Sequence, residues 1–341
     1  MVTKSPPPVI ATLGSHSALQ IAKGAADEGL KNLIITTPDK AKLYRRYPFI
    51  DEIIEIPNFK NFTDIEKQLA AKNVVIIPHG SFVAYLGLEK NREMRLPYFG
   101  NKHVLDWEFD RDKQMEWMEA AQIRVPLKYG PGQKIDRPVI FKTFGAGGGA
   151  GYVLVKNDQD LQAYLKKNKH KDYLLQEYII GVPVYVHFFK SLMDNRLEVL
   201  SVDRRYETNA DGLGRLPIQH QTGTLEPSFT VVGNSPLSIR ESLLPEVYEM
   251  AERVIEASKT MISPQGLFGP FCLEMIIDEN QKMYVIEISA RIVAGSNLFI
   301  NGSPYSDLFF DVPMSTGRRI AREIKTAYET NRLETILHAN T

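Results

Sequence analysis

The residues best suited to chemistry lie between Gly269 and Tyr305. Glu274 and Glu287 each sit in a short β-forming run, Phe271 to Ile277 and Lys282 to Ile288, with the polar Asp278-Glu279-Asn280-Gln281 between them. That pattern predicts a hairpin. Two carboxylates aimed into one interior need a cation, because an unpaired buried charge is costly. Hard oxygen donors on paired strands, with Asn297 in the glycine-containing loop that follows, suit Mg²⁺, which takes few protein carboxylates and completes its octahedron with phosphate and water. A metal-bound nucleotide is therefore expected. The alternative is a solvated sheet face on which Glu274 and Glu287 are surface partners of Lys282 and Arg291.

A second candidate group is Lys142 with the run Gly145-Ala-Gly147-Gly148-Gly149-Ala150-Gly151. The run formally matches the dinucleotide pattern G-x-G-x-x-G/A, but that pattern requires a helix after the glycines. Here Tyr152 to Val155 is β-like, so the glycines are expected at a hairpin tip. Such a flap can lay backbone N–H groups over a triphosphate, and Lys142 at the end of the entering strand adds a cation there. A mobile linker is the alternative. Downstream, Tyr173 to Ile180 reads as a strand ending in Glu177-Tyr178-Ile179-Ile180, a segment able to offer backbone and Ile side chains to an adenine ring.

The elements that would position these groups begin with Val9 to Leu13, a buried strand leading through Gly14-Ser15-His16-Ser17 into a helix. Further strands at Leu30 to Thr36, Glu52 to Ile56 and Asn73 to Ile77 alternate with helices, which predicts a parallel sheet covered on both faces. Ligands bind such sheets beyond the carboxyl ends of the strands. Two loops fall there, Gly14 to Ser17 and Pro78-His79-Gly80-Ser81, and both open helices whose free N–H groups favour an anion. Helix capping by Ser15, Ser17 and Ser81 is the alternative use. The helix over Ser315 to Asn331, with Arg318, Arg319, Arg322, Glu323 and Lys325, is expected to be exposed or to face another subunit.

Length and composition narrow the classes. At 341 residues the chain can form two or three domains. Its 41 basic and 41 acidic residues balance, so nothing points to nucleic acid or a membrane surface. The single cysteine, Cys272, cannot form an internal disulfide, and the start has no signal-peptide run, so a cytoplasmic location is expected.

Taken in order, a doubly wound lobe, Lys142 before a glycine-rich hairpin, the Glu177 to Gly181 hinge and two acids followed by Asn297 resemble the ATP-grasp superfamily of carboxylate–amine ligases. ATLGSHSALQIAKGA, PHGSFVAYLGL, DRRYETNADGL, GNSPLSIRESLLP and GPFCLEM through EISARIVAGSNLFINGSPYS are closest to the archaeal PurP family of formate-dependent synthetases. The resemblance implies an α/β (α+β) chain, with an N-terminal doubly wound lobe over residues 1–100, a lid subdomain over 101–190 and an acid-bearing subdomain over 191–341. It implies an ATP-dependent ligase that formylates the 5-amino group of AICAR ribonucleotide through formyl phosphate in IMP biosynthesis, with Mg²⁺ or Mn²⁺ and a trimeric or hexameric assembly. Carried over by position, Glu274 and Glu287 are metal ligands; Lys142, Glu287 and Asn297 are catalytic. Lys142, Gly145, Gly147, Gly148, Gly149, Gly151, Glu177, Tyr178, Ile179, Ile180 and Glu207 hold ATP. His16, Ser81 and Asn234 hold AICAR. The sequence departs from the pattern where Gly147 and Ala150 replace basic flap residues and where Pro183 stands in place of a glutamate. A paralogue joining another small acid to another amine, or a nucleotide-binding protein with little ligase activity, therefore stays open.

Overall fold

The computed structural model describes residues 6–130, 132–143, 153–167, 173–207, 213, 217 and 231–338. In the first lobe β1 (Val9–Leu13), β2 (Asn32–Thr36), β3 (Glu52–Glu55), β4 (Val74–Ile76) and β5 (Tyr98–Phe99) alternate with α1 (Ala18–Asp27), α2 (Pro38–Tyr44), α3 (Glu66–Ala70), α4 (Phe82–Leu86) and α5 (Leu88–Glu93). The strands lie parallel in the order β3-β2-β1-β4-β5, and β1, β2 and β4 are buried on both faces, as their apolar runs require. Because β1 and β4 are neighbours, the loops after them stand side by side at one sheet edge.

Two helices, α6 (His103–Phe109) and α7 (Arg111–Ala120), lead to a four-stranded antiparallel sheet. It comprises β6 (Lys128–Tyr129), β7 (Val139–Thr143), β8 (Val153–Val155) and β9 (Tyr173–Glu177), with α8 (Asp158–Lys167) between β8 and β9. β7 and β8, which flank the glycines, pair antiparallel as a hairpin requires. Gly145, Gly147, Gly148, Gly149 and Gly151 themselves lie outside the described residues.

The second antiparallel sheet has five strands in the order β12-β11-β10-β13-β14. They are β10 (Gly181–Lys190), β11 (Leu197–Glu207), β12 (Val231–Pro236), β13 (Gly269–Asp278) and β14 (Met283–Ser289), with α9 (Leu244–Met261) before the last hairpin. β10 pairs along its whole length with β13, so the chain enters the acid-bearing sheet at residues 178–180, ahead of the boundary expected at 190. One face carries Val184, Val186, Phe188, Phe271, Leu273 and Met275 into a core shared with Val247, Met250 and Val254 of α9. Strand alternation then commits the other face to Tyr185, His187, Asp203, Arg205 and Glu274.

The C-terminal helix α10 (Thr316–Glu329) corrects the sequence expectation of an exposed or subunit-facing surface. Arg319 and Glu323 are buried and joined at 2.8 Å, and Arg319 also binds Glu198 at 2.8 Å. Arg318 and Arg322 hold Glu28, at the end of α1, at 2.6 and 2.8 Å. The charges are internal because their partners lie far away in sequence. α10 meets α1 where Gly24 faces Gly317 with no room for a Cβ on either. Buried Gln20 on α1 accepts from Gly317 N at 2.8 Å and donates to the carbonyl of Ser296, in the 3₁₀ segment Ala294–Phe299. The last strand, β15 (Leu337–His338), then joins the first sheet beside β5, antiparallel to it.

Adding one methyl at this crossing must separate the helices. Gly317→Ala is expected to destabilise the fold by about 1–3 kcal/mol, the usual cost of overpacking, read as a lowered midpoint in denaturant unfolding. An unchanged midpoint would show that the helices do not meet there.

Candidate active site

The two acids meet because of a backbone irregularity. Glu274 pairs directly with Glu287, but the next pair is Met275 with Val285, leaving Ile286 as an extra residue on β14. Val285 faces the apolar core, and strict alternation would send Glu287 there too. The bulge shifts the phase by one residue and turns Glu287 to the face that carries Glu274. A second bulge, which leaves Leu200 unpaired between the Phe188–Val199 and His187–Ser201 pairs, does the same for Asp203 and Arg205.

The carboxylates differ in their partners. Glu274 is buried and receives both Arg205 Nη atoms at 3.2 Å and Ser289 Oγ at 3.1 Å. The Arg205 guanidinium lies 3.7 Å from the Tyr185 ring centroid. Glu287 has no hydrogen-bond or ion-pair partner among the described residues. Its pKa is pushed up to about 7, first by desolvation and then by the facing Glu274, against the pull of Arg291. A carboxylate so placed lacks a cation. The paired carboxylates are hard oxygen donors, a donor set that fits Mg²⁺, which takes few protein ligands. The surface-pair alternative is excluded, since Arg291 instead binds buried Glu108 at 2.6 Å.

Lys142 enters from the lid sheet. It points away from the Val139 and Phe141 side of β7, is buried, and donates to Gln176 Oε1 at 2.7 Å. Burial lowers its pKa to about 8, Arg111 adds to that, and Glu287 opposes it. Lys142 and Glu287 thus feel one another across the cleft. Along the hinge, Glu177 pairs with Arg137 at 3.0 Å and accepts from Leu127 N at 3.3 Å. Ile180 is 79% exposed, a surface free to pack against a flat ring. The Tyr178 pKa is raised by burial and by Glu207, which brings the end of β11 to the same hinge.

The first lobe supplies the opposite wall. His16 has φ 43° and its Nδ1 meets Ser81 Oγ at 2.5 Å, while Ser15 Oγ lies 3.0 Å from Tyr85 OH. Lys40 Nζ donates to Tyr85 OH at 3.2 Å. Ser17 and Ser81 occupy N-cap positions without making a side-chain cap bond, so capping is not their use. His79 stacks on His16 with ring centroids 5.7 Å apart, donates from Nε2 to Leu13 O at 2.8 Å and accepts from Ser81 N at 3.2 Å. Burial, then Arg291, Arg205 and Lys40, lower the His16 pKa to about 4. The two walls approach at Gly80, where a Cβ would stand 3.0 Å from the His16 ring and 3.5 Å from the Arg291 guanidinium carbon. Asn297 Nδ2 donates to His16 O at 2.7 Å, bracing that loop. Asn234 Nδ2 donates to Asp203 Oδ2 at 2.7 Å.

The comparisons with known proteins decide the family. The family described as "Domain of unknown function (DUF1297)" matches residues 156–338, and "Protein of unknown function (DUF1246)" matches residues 10–129. The chain is 48% identical to the 5-formaminoimidazole-4-carboxamide-1-(beta)-D-ribofuranosyl 5'-monophosphate synthetase of Pyrococcus horikoshii, over 96% of this chain and 99% of that one. The synthetase of the same name from Nitrosopumilus maritimus is 44% identical over 96% and 98%. The chain belongs to this synthetase family. The crystal structure of an IMP biosynthesis protein PurP from Thermococcus kodakaraensis superposes with TM-score 0.79 at 32% identity, covering 96% of this chain and all of that one. The ADP complex of purK, an N5-carboxyaminoimidazole ribonucleotide synthetase, is 14% identical with TM-score 0.66, covering 95% and 79%, and shares the fold alone. That fold is the ATP-grasp. Among the described residues no helix is long and apolar enough to cross a membrane.

Within this synthetase cleft, sequence reasoning missed Arg205, Asp203, His187, Glu108 and Arg291 as site groups. Asp203, Arg205 and His187 lie on strands near acids, a weak signal, whereas Glu108 on α6 and Arg291 after β14 carry no local one; all their pairings are long-range.

The neutral histidines give a pH dependence. With folded pKa values near 4 for His16 and 3 for His79 against 6.5 unfolded, the unfolded chain binds more protons between those limits. Their contribution to stability is complete above pH about 6.5 and is lost as pH falls through that window. His79→Gln is expected to flatten the slope of unfolding free energy against pH between about 6.5 and 4; an unaltered slope would mean His79 titrates normally in the fold.

Proposed function

We propose that the protein is an ATP-dependent ligase that joins formate to the 5-amino group of AICAR ribonucleotide. In this reading ATP phosphorylates formate to formyl phosphate with release of ADP. The amine then attacks the formyl carbon, phosphate leaves, and the nitrogen loses a proton. The observation that carries the reading is the Glu274–Glu287 pair, one member held by Arg205 and the other without a partner among the described residues, with buried Lys142 near enough for its charge to be felt. Full-length identity to the named synthetases supports the substrates.

Glu274 and Glu287 are the residues that would hold Mg²⁺ or Mn²⁺, which when bound neutralises phosphate charge. Lys142 contributes a further cation to the phosphates, and its burial keeps that charge unscreened. Gly145 to Gly151 would close over them as backbone donors. Tyr178 to Ile180 and Glu207 would flank the adenosine, with Ile180 against the base. His16 and Ser81, in the loops at the sheet edge, would bind AICAR together with Asn234. His16 is neutral at pH 7 and so acts there as a hydrogen-bonding group without charge. Catalysis is mostly positioning in a cleft that keeps water from the mixed anhydride.

Two measurements test this. ADP release in the presence of AICAR is expected to require formate; release only with another small acid, or binding of both nucleotides without turnover, would overturn the assignment. Glu287→Gln is expected to reduce kcat by about 10²-fold or more while leaving the thermal midpoint of the metal-free protein no lower, because a like-charge pair has been removed. Retained metal-dependent turnover in that variant would contradict the role given to Glu287.

A further inference from the structure

Behind Asn234 lies a buried polar chain that the ligase chemistry does not use. Asp203 on β11 is fully buried, and both of its oxygens are committed: Oδ1 to Nε2 of buried His187, Oδ2 to Nδ2 of Asn234 at 2.7 Å. Its position is also fixed sterically. A Cβ on Gly295 would stand 2.6 Å from Oδ1 and 2.7 Å from Oδ2, so the 3₁₀ segment over Ala294–Phe299 closes on the carboxylate with only a hydrogen between them. Asn234 is half-buried and pairs with Arg205, which places it on the polar face of the sheet.

An amide nitrogen donates and a carboxylate accepts, so Asp203 dictates which way round Asn234 sits. With Nδ2 committed, the other end of the amide is its oxygen, which has no partner among the described residues. We infer that the His187–Asp203 pair locks Asn234 with its amide oxygen toward the cleft, so that this position selects an N–H donor on the acceptor nucleotide and turns away a carboxylate. The inference rests on the AICAR reading above and adds to it a reason for specificity: a carboxamide or amine satisfies the oxygen, whereas a carboxylate meets an acceptor with an acidic residue behind it. His187 and Asp203 are positioning residues, acting through Asn234.

The test is a reciprocal exchange, read by equilibrium binding of two probes, AICAR ribonucleotide and its analogue with a 4-carboxylate in place of the carboxamide. The wild type is expected to prefer the carboxamide by about tenfold or more, the worth of one good hydrogen bond against an unpaired acceptor. Asp203→Asn presents an amide N–H to position 234, so the Asn234 amide turns over and the preference is expected to be lost or reversed. Asn234→Asp sets two carboxylates against each other and weakens binding of both probes. The double variant Asp203→Asn with Asn234→Asp rebuilds the contact with the polarity reversed, leaving an acceptor oxygen toward the ligand, and is expected to restore the preference. A merely structural contact would not make the probe ratio follow the exchange. Should Asp203→Asn fail to fold, Asn234→Leu, at a half-buried position, carries the same expectation of lost preference. A preference unchanged in either folded single variant at 203 or in Asn234→Leu, or a double variant no better than the singles, overturns the inference. Binding is read without turnover, so failure of the formate-dependent reaction is recognised separately in the wild type.

Discussion

Two carboxylates on adjacent strands, placed opposite each other with an arginine holding only one of them, set the terms for the rest of this molecule. Arg205 neutralises Glu274 and is itself pinned against Tyr185, so the balance of charge at Glu287 is left incomplete. Such an arrangement is unfavourable on its own, and it persists because the sheet beneath is over-determined by its apolar face. The cost falls where a divalent ion and a polyphosphate would relieve it, which is how a binding site is made without a preformed metal cage.

The surrounding architecture brings two walls to that place. Parallel β1 and β4 deliver His16 and Ser81 to one edge, and β7 delivers Lys142 from the lid. The C-terminal helix α10 holds the walls together: it packs against α1 at a glycine contact, ties Glu28 through two arginines, and buries Arg319 against the β10–β11 hairpin. Gln20 extends the same connection to the segment carrying Asn297, whose amide braces His16. A change of helix packing would therefore be felt at the loop that carries His16.

Much of this was legible in the sequence wherever a local pattern carried the information. Alternating strands and helices revealed the first lobe, the polar turn at Asp278 to Gln281 revealed the hairpin, and the β-like run after the glycines excluded a dinucleotide fold. What escaped depends on pairings distant in the chain. Glu287 reaches the site face only through a bulge at Ile286, which no alternation rule predicts. The arginines of α10 read as surface charges because Glu28 and Glu198 lie far upstream of them. Asp203 and His187 carry no local signal, because only the register of β10 against β11 brings them together.

The most direct measurement is a site-resolved carbon NMR titration of the Glu287 carboxyl, with and without Mg²⁺ and a non-hydrolysable ATP analogue. The account predicts a midpoint near pH 7 in the free protein, raised by enclosure opposite Glu274, falling well into the ordinary carboxylate range when ion and nucleotide bind. An ordinary midpoint in the free protein, or one that does not respond to the ion, would contradict it.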